Sequence, residues 1–484
     1  MSAAGTPLTS SKAAMPKAAM VVAASAAMMG LLYGYDNGNI GGAALFFKGD
    51  LGLTTAQVST VATAIVWGEL IGAFFGGWVS NRLGRRKAIL VVAAGYLVCC
   101  LTSAASQNEW QLWASRFFLG LAIGLSLIAV PLFAAESVPA RVRGRVLVLY
   151  QVMATSGLIV GYLFSAGLSE ADPNYNWRIM LGLAALPAAI LLPILLRLPE
   201  TANWLLMKGR REDAAATLRR TDPGVDPEQA LAEMEAAHAD ESGGMIREMF
   251  RKPYLRATVF VVSFGFFIQI TGVNAAVTYG PQLFKSMGFS SDVEAILMGA
   301  FVQVFALAAV VVSMIYIDRW GRRPILLTGI SILIVGQVLS AATFATVHGD
   351  HWTRIQQVAG FAGLALVQIG FVFGFGSLVW VYASEAFPGR MRAYGTSALL
   401  TADLLANVII AQFTLIAIDR FGQTAVFLVF AVLAVFALLF VAKFAPETKG
   451  RPLDDIRFFW ENGGKWPATG AGSAPTASGG HKPA

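Results

Sequence analysis

The chain has 484 residues, of which 56% are hydrophobic and 13% charged, and its mean hydropathy is +0.62. A water-soluble domain carries roughly a quarter charged residues, so this composition excludes a particle whose whole surface faces water and makes lipid the solvent for most of the chain. The net charge of +7 would suit a nucleic-acid binder if taken alone, so its distribution along the chain has to decide.

Apolar stretches of about 20 residues, enough to cross a hydrocarbon core, recur along the chain. They lie near 18–45, 57–80, 88–107, 110–135, 146–168, 177–198, 254–284, 294–317, 324–346, 356–384, 394–418 and 423–444. The expected fold is an all-α membrane protein with twelve transmembrane helices. Residues 1–17 form a cytoplasmic N-terminal segment. The stretch 13–30 has the small residues of a cleavable leader around Ala23 and Ala27. Its apolar run continues through Tyr33 and more spans follow, so a retained first helix is expected. The stretches 18–45 and 356–384 are long and glycine-rich, which predicts tilted or broken helices. Cys99 and Cys100 are adjacent in an apolar run; neighbours do not form an ordinary structural disulfide, so they read as small packing residues.

Alternate connections collect the cations. Arg82, Arg85, Arg86 and Lys87 sit in one, Arg141, Arg143 and Arg145 in another, then Arg319, Arg322 and Arg323, then Arg390 and Arg392. The opposite connections hold only scattered Lys48, Lys285, Arg354 and Arg420. The positive-inside rule then places both termini in the cytoplasm. The basic balance is topology, and nucleic acid is not an expected partner.

Between a first bundle at 18–198 and a second at 254–445 lies the one long polar connection, 199–253. Residues 214–220 and 227–239 read as short amphipathic helices parted by the breaker Thr221-Asp222-Pro223-Gly224. A cytoplasmic segment follows at 446–462. From 463 to 484 the chain is rich in Gly, Ala, Ser and Pro without period, which predicts a disordered tail.

The two bundles repeat one another. Gly84-Arg85-Arg86 recurs as Gly321-Arg322-Arg323, each behind a span and an arginine, Arg82 or Arg319. Glu136, Pro139 and Arg143 recur at the same spacing as Glu385, Pro388 and Arg392, and Pro199-Glu200-Thr201 recurs as Pro446-Glu447-Thr448. All three are offset by about 240–250 residues, half the chain. Two six-helix halves in parallel orientation, joined by a cytoplasmic linker, describe the major facilitator architecture, whose halves rock about a midplane site. Lipid-headgroup anchoring explains the arginines but not Glu136 and Glu385 at fixed spacing from Arg143 and Arg392. A cytoplasmic charge latch of Arg82, Arg85, Arg86, Glu136, Arg143, Asp318, Arg319, Arg322, Arg323, Glu385 and Arg392 is therefore expected.

These motifs resemble the sugar porter family of the major facilitator superfamily across residues 28–457. The resemblance rests on Gly34-Tyr35-Asp36, on Gly76-Gly77 with Arg82-Leu83-Gly84-Arg85-Arg86-Lys87, and on Arg116 followed by Gly120 and Gly124. It continues through Pro131 to Glu136 and Pro139, Arg143-Gly144, and Pro199-Glu200-Thr201-Ala202-Asn203-Trp204. It ends with Gln269 and Asn274, Trp380 with Glu385 and Pro388, and Pro446 to Gly450 with Leu453 to Ile456. The chain departs from the family pattern at several points. Asn81 stands where Asp is common, Ile268-Gln269 replaces a glutamine pair, Thr278-Tyr279 replaces a tyrosine pair, Ser377 replaces a proline, and Asp403 replaces a neutral amide.

A carboxylate in a membrane interior costs about 2.5–3.5 kcal/mol, so Asp36 needs a reason. It lies roughly 27 Å along the first span from its cytoplasmic start, and Arg116 lies ~9 Å inside the outer start of the fourth. The two share a depth, as an ion pair requires. The resemblance implies that Asp36 carries a proton, with Arg116 holding it ionised until a rearrangement parts them. A permanent ion pair that only fixes packing is the alternative. The resemblance also implies substrate contacts from Gln151, Gln269, Asn274, Trp380, Asp403 and Asn407. Asp403 and Asn407 are four residues apart and share a helical face, ~16 Å deep in their span. Asp403 could accept from sugar hydroxyls, take a second proton, or attract a cationic solute.

The expected function is proton-coupled symport of a sugar or polyol by a monomer, with the bilayer and protons as the other partners and no cofactor. The compact loops suggest a bacterial cell membrane. Rival readings are uptake of an organic acid or cation, since such scaffolds accept varied pockets, and a sugar sensor, which usually needs a long signalling tail. There is no phosphate-cradling loop and no histidine-rich metal cluster, so an enzyme is not expected.

Overall fold

The structure, a computed structural model, describes residues 16–239, 245–289, 291–347, 351–387, 391–449 and 453–466. These are helix and turn throughout, in two compact units: Met1–Asp240 with Ser291–Ala300, and Glu241–Ser290 with Phe301–Ala484.

The first unit is built from α1 (Lys17–Asp50), α2 (Thr55–Leu83), α3 (Arg85–Ala104), α4 (Glu109–Ser137), α5 (Ala140–Leu168), α6 (Pro173–Gly182) and α7 (Ala185–Arg197). Its helix starts follow local chemistry. Thr54 accepts from the Gln57 amide while Gln57 returns a bond to the Thr54 amide, a capping box at α2, and Asn108 caps α4 the same way from one side. α6 and α7 form one span interrupted at Leu183 and Ala184. Pro187, in the first turn of α7, has no N–H for the preceding turn.

Two close contacts organise this unit. Gly30, Gly34, Gly38 and Gly42 fall every fourth residue on α1. A Cβ on Gly34 would lie 1.8 Å from the Ala154 carbonyl oxygen of α5. On α2, a Cβ at Gly68 would lie 2.2 Å from the Phe117 carbonyl of α4, and one at Gly120 of α4 2.1 Å from that of Ile65. Small residues at this spacing let helix backbones touch, as membrane helices require where burial alone gives no driving force. Of the two outcomes expected for the first span, tilted or broken, the break does not occur: it is one continuous helix of 34 residues, and its glycines serve contact with α5.

The connection after α7 folds as α8 (Ala202–Met207), α9 (Arg211–Thr221) and α10 (Pro227–Ala239). Leu205, Leu218 and Leu231 make a small core of their own, and Arg211 of α9 pairs with Glu228 at 2.8 Å and with Glu235.

The second unit opens with α11 (Met245–Met249). Its first span is in three pieces: α12 (Leu255–Ile270), α13 (Val273–Thr278) and α14 (Gly280–Ser286). Gly272, at φ 83°, breaks the helix before α13. The helix α15 (Asp292–Trp320) follows, then α16 (Arg322–Thr346) and α17 (Arg354–Phe371). A π turn at Val372–Gly376 then leads into α18 (Ser377–Glu385). The stretch 356–384, expected to be tilted or broken, is interrupted here. Ser377 donates its hydroxyl to the Val372 carbonyl at 2.8 Å, and buried Ser313 of α15 donates to that of Phe373 at 2.8 Å, satisfying carbonyls that the wider turn frees.

Among the described residues eleven helical stretches are long and apolar enough to cross a membrane. The last, α19 (Arg392–Phe444), has 53 residues and non-helical torsions at Gly422 (φ 79°, ψ 162°). At 1.5 Å per residue it would run roughly 80 Å, more than twice a ~30 Å core, so it supplies two crossings. α20 (Leu453–Glu461) packs Trp460 against Phe260 of α12, with ring centroids 4.9 Å apart. Trp466, the last described residue, packs on Phe459 with ring centroids 4.6 Å apart. Residues 467–484 lie outside the described set.

Candidate functional site

The first unit carries a buried ion pair. Asp36 of α1 is 2% exposed and Arg116 of α4 1%. The guanidinium donates from Nη1 to Oδ1 at 2.5 Å and from Nη2 to Oδ2 at 3.0 Å. This fork-on-fork contact is the strongest ion-pair geometry available to side chains. Around it, Tyr35 and Asn39 both donate to the Met180 carbonyl of α6 at 2.9 Å, which fixes the rotation of α1. The arginine Nε has no hydrogen-bond partner among the described residues.

In the second unit the structure brings together Gln269, Asp403 and Asn407. Gln269 Nε2 of α12 donates to Asp403 Oδ2 of α19 at 3.4 Å. Asn407 is one turn further along α19 and 7% exposed. The oxygens Gln269 Oε1 and Asn407 Oδ1 are buried without a partner among the described residues. Unused buried acceptors cost about 1–3 kcal/mol each, so the cluster suits a ligand rich in donors. Asn274 is half-buried on the single turn α13, and Gln151 is an exposed residue of α5 in the first unit. The Trp380 side chain lies outside the described residues. Ile268 belongs to the apolar core, and Tyr279 donates to the Ala411 carbonyl at 2.5 Å, a structural use. Other intramembrane amides tie helices, as Gln337 does to the Thr271 carbonyl at 2.5 Å.

At the arginine-rich helix ends the sequence reading missed the main acceptors. The N-terminus of α3 follows Gly84 (φ 101°) and that of α16 follows Gly321 (φ 100°), and neither has a side-chain cap of its own. Glu200 accepts from the Arg86 amide at 3.0 Å, and Glu447 accepts from the Arg322 and Arg323 amides at 3.0 Å each. Each carboxylate thus sits on a helix N-terminus, where free N–H groups and the dipole favour negative charge. The parallel repeats of Pro-Glu-Thr and of Gly-Arg-Arg are the signal that the sequence offers for this contact. Glu136 accepts from Arg85 Nε at 3.2 Å, Thr201 at 2.6 Å and Asn203 at 2.9 Å. Arg85 also reaches the Asn81 side-chain oxygen at 2.9 Å, so the amide there still serves as an acceptor. Arg82 stacks over Trp78 at 5.3 Å. Arg319 is exposed. The side chains of Arg143, Asp318, Glu385 and Arg392 lie outside the described residues.

Residues 22–460 match the family described as "Sugar (and other) transporter". The chain is 32% identical to a probable metabolite transport protein of Bacillus subtilis, CsbC, over 89% of its own length and 92% of the relative's. It is 30% identical to the galactose-proton symporter of Escherichia coli, over 89% and 92%. Among solved structures, the partially occluded inward-open xylose transporter XylE of E. coli superposes with a TM-score of 0.77 at 23% identity. That match covers 90% of this chain and 99% of the other.

Proposed function

The chain belongs to the sugar transporter family of the major facilitator superfamily, a multi-pass membrane transporter and not an enzyme, and on that premise we propose that it is a proton-coupled symporter of a sugar or polyol working by alternating access. The observation that carries the reading is the buried fork between Asp36 and Arg116. A guanidinium does not release its proton. When Asp36 takes one, the unit is left with a buried unpaired cation, and breaking such a pair costs about 3–5 kcal/mol. That state relaxes only if the helices rearrange, which ties protonation to conformation. The driving force is of the right size. One charge moved through 100 mV supplies about 2.3 kcal/mol, equivalent to roughly 40-fold accumulation. The names of the relatives, among them a galactose-proton symporter and an arabinose-proton symporter, support the same cargo class and coupling ion. The arginine-rich helix ends support cytoplasmic termini, and the bacterial relatives support a cell-membrane location.

In proteoliposomes with an imposed proton gradient, Asp36→Asn is expected to abolish accumulation while solute exchange across the membrane persists. Undiminished accumulation in that variant would sink the coupling role. A second reading, an amine-bearing solute, is favoured by Asp403, whose hydrogen-bond partner among the described residues is an amide, not a cation. Asp403→Asn would then lose amine uptake and keep that of neutral sugars.

A further inference from the structure

On the surface of the first unit, α2, α3 and α4 enclose an apolar groove of about 1040 Å³ that neither the ion pair nor the substrate cluster uses. Small-molecule sites run to roughly 300–1,000 Å³, so the space is ample for a ligand. Small residues make its floor. A Cβ on Gly95 of α3 would lie 2.8 Å from that of Ala122 on α4, and one on Gly72 of α2 would lie 2.3 Å from the Leu121 carbonyl of α4. The helices approach closely there, while Phe75, Val91, Val98 and Phe118 stand exposed around the hollow as its rim. From Val91 to Ala105 the groove follows α3 for ~21 Å, more than the ~15 Å of one leaflet's hydrocarbon. One extended acyl chain fits that length.

Charge is arranged at one end of it. Lys87 lies one turn before Val91 on the groove face of α3, and Arg82 lies three residues after Val79 on that of α2. Both cations are exposed. The acids of this helix end are spent elsewhere, Glu136 on Arg85 and Glu200 on the Arg86 amide. Arg82 stacks over the exposed Trp78, an aromatic of the kind that marks headgroup level. Lys87 can lay its stem along the apolar rim and hold its ammonium among the headgroups. At the other mouth the lining is neutral, with Thr102 and Gln111. Arg178 beyond it is committed to Asp50 and to the Ala104 carbonyl, each at 3.2 Å.

We propose that this groove binds one anionic phospholipid of the cytoplasmic leaflet, with its phosphate between Lys87 and Arg82 and one acyl chain lying along α3. The leaflet rests on the cytoplasmic placing of the arginine-rich helix ends. The two parts of the site select different parts of the ligand. The cations favour a headgroup of net negative charge, which a zwitterionic lipid lacks, and the slot favours a chain, which a free phosphate lacks. A lipid entering from the opposite leaflet would set its headgroup against the hydroxyl and amide of Thr102 and Gln111, with no cation to hold it.

The test adds palmitoyl-oleoyl phosphatidylglycerol, or the phosphatidylcholine with the same chains, to the full-length protein delipidated in a non-ionic detergent. Retained lipid is counted by native mass spectrometry. A phosphatidylglycerol with a diazirine midway along one chain is cross-linked, and the labelled peptides are mapped. Wild type is expected to keep one phosphatidylglycerol in preference to phosphatidylcholine, with cross-links confined to residues 71–79, 91–105 and 111–125. Lys87→Gln should lower phosphatidylglycerol retention about fivefold and leave that of phosphatidylcholine unchanged. Ala94→Phe, which sets a ring in the groove from an exposed position, should lower phosphatidylglycerol retention and the groove cross-links at least about tenfold. Ala114→Leu fills it from α4 and gives the same test if Ala94→Phe fails to insert. Equal retention of the two lipids, or cross-links spread over the remaining helices, overturns the proposal. So does a loss in Lys87→Gln with none in the filled variants, which marks a headgroup held on the surface alone. A topology opposite to the one inferred would change the leaflet and leave these results in detergent as they are.

Discussion

Arg116 commits both terminal nitrogens to Asp36. A lysine at this position would keep the charge but present a point donor in place of a fork. Arg116→Lys is therefore expected to lower proton-driven accumulation about tenfold, equivalent to 1.4 kcal/mol, in the same flux assay. Asp403 gives a residue-scale test of the cargo. Replacing it by Asn removes one charge beside Gln269 and keeps the shape, so the rank order of a sugar, polyol and amine panel should change while the protein still inserts. An unchanged rank order would remove Asp403 from the site. The pairing of Asp36 with Arg116 was legible in the sequence because each helix has a fixed rise, so two positions on different spans can be set at one depth. Gln269 and Asp403 were both named, but their direct contact depends on how α12 and α19 pack, which no spacing in the chain records.

Helices in this protein use glycine in two opposite ways. On α1 the glycines are helical and mark a contact face, whereas at Gly272 the left-handed backbone stops one helix and starts another. Glycine-richness predicts neither outcome. The i, i+4 register of Gly30, Gly34, Gly38 and Gly42 is what separates a stripe from a hinge. Substitution should report the difference. Gly34→Ala forces a Cβ to within 1.8 Å of the Ala154 carbonyl and should cost about 1–3 kcal/mol or more, seen as a lower thermal midpoint in detergent. Gly77→Ala meets nothing within 4 Å and should be neutral or slightly stabilising. Equal midpoints for the two variants would remove the stripe as a packing device.

Across the whole molecule one solution is used twice. A Pro-Glu-Thr carboxylate caps the helix that follows Gly-Arg-Arg, within the first unit through Glu200 and within the second through Glu447. The repeat was legible as spacing; that its centre is an acid on backbone amides was not, because the sequence shows charges and hides N–H groups. Glu200→Gln and Glu447→Gln should each weaken a charge-assisted contact, typically about 1.5–3 kcal/mol, and lower turnover more than solute affinity. Measuring the rate and the half-saturation of uptake separately checks this.

The glycine contacts also limit how the first unit can deform. They weld α1 to α5 and α2 to α4. Asp36 rides on one welded pair and Arg116 on the other, so the ion pair straddles the seam between the two. On the proposed coupling, sliding along this seam is the motion that protonation of Asp36 would drive. A covalent tie between α1 and α5 should then leave turnover unaffected, while the same tie between α1 and α4 near Asp36 should stop it.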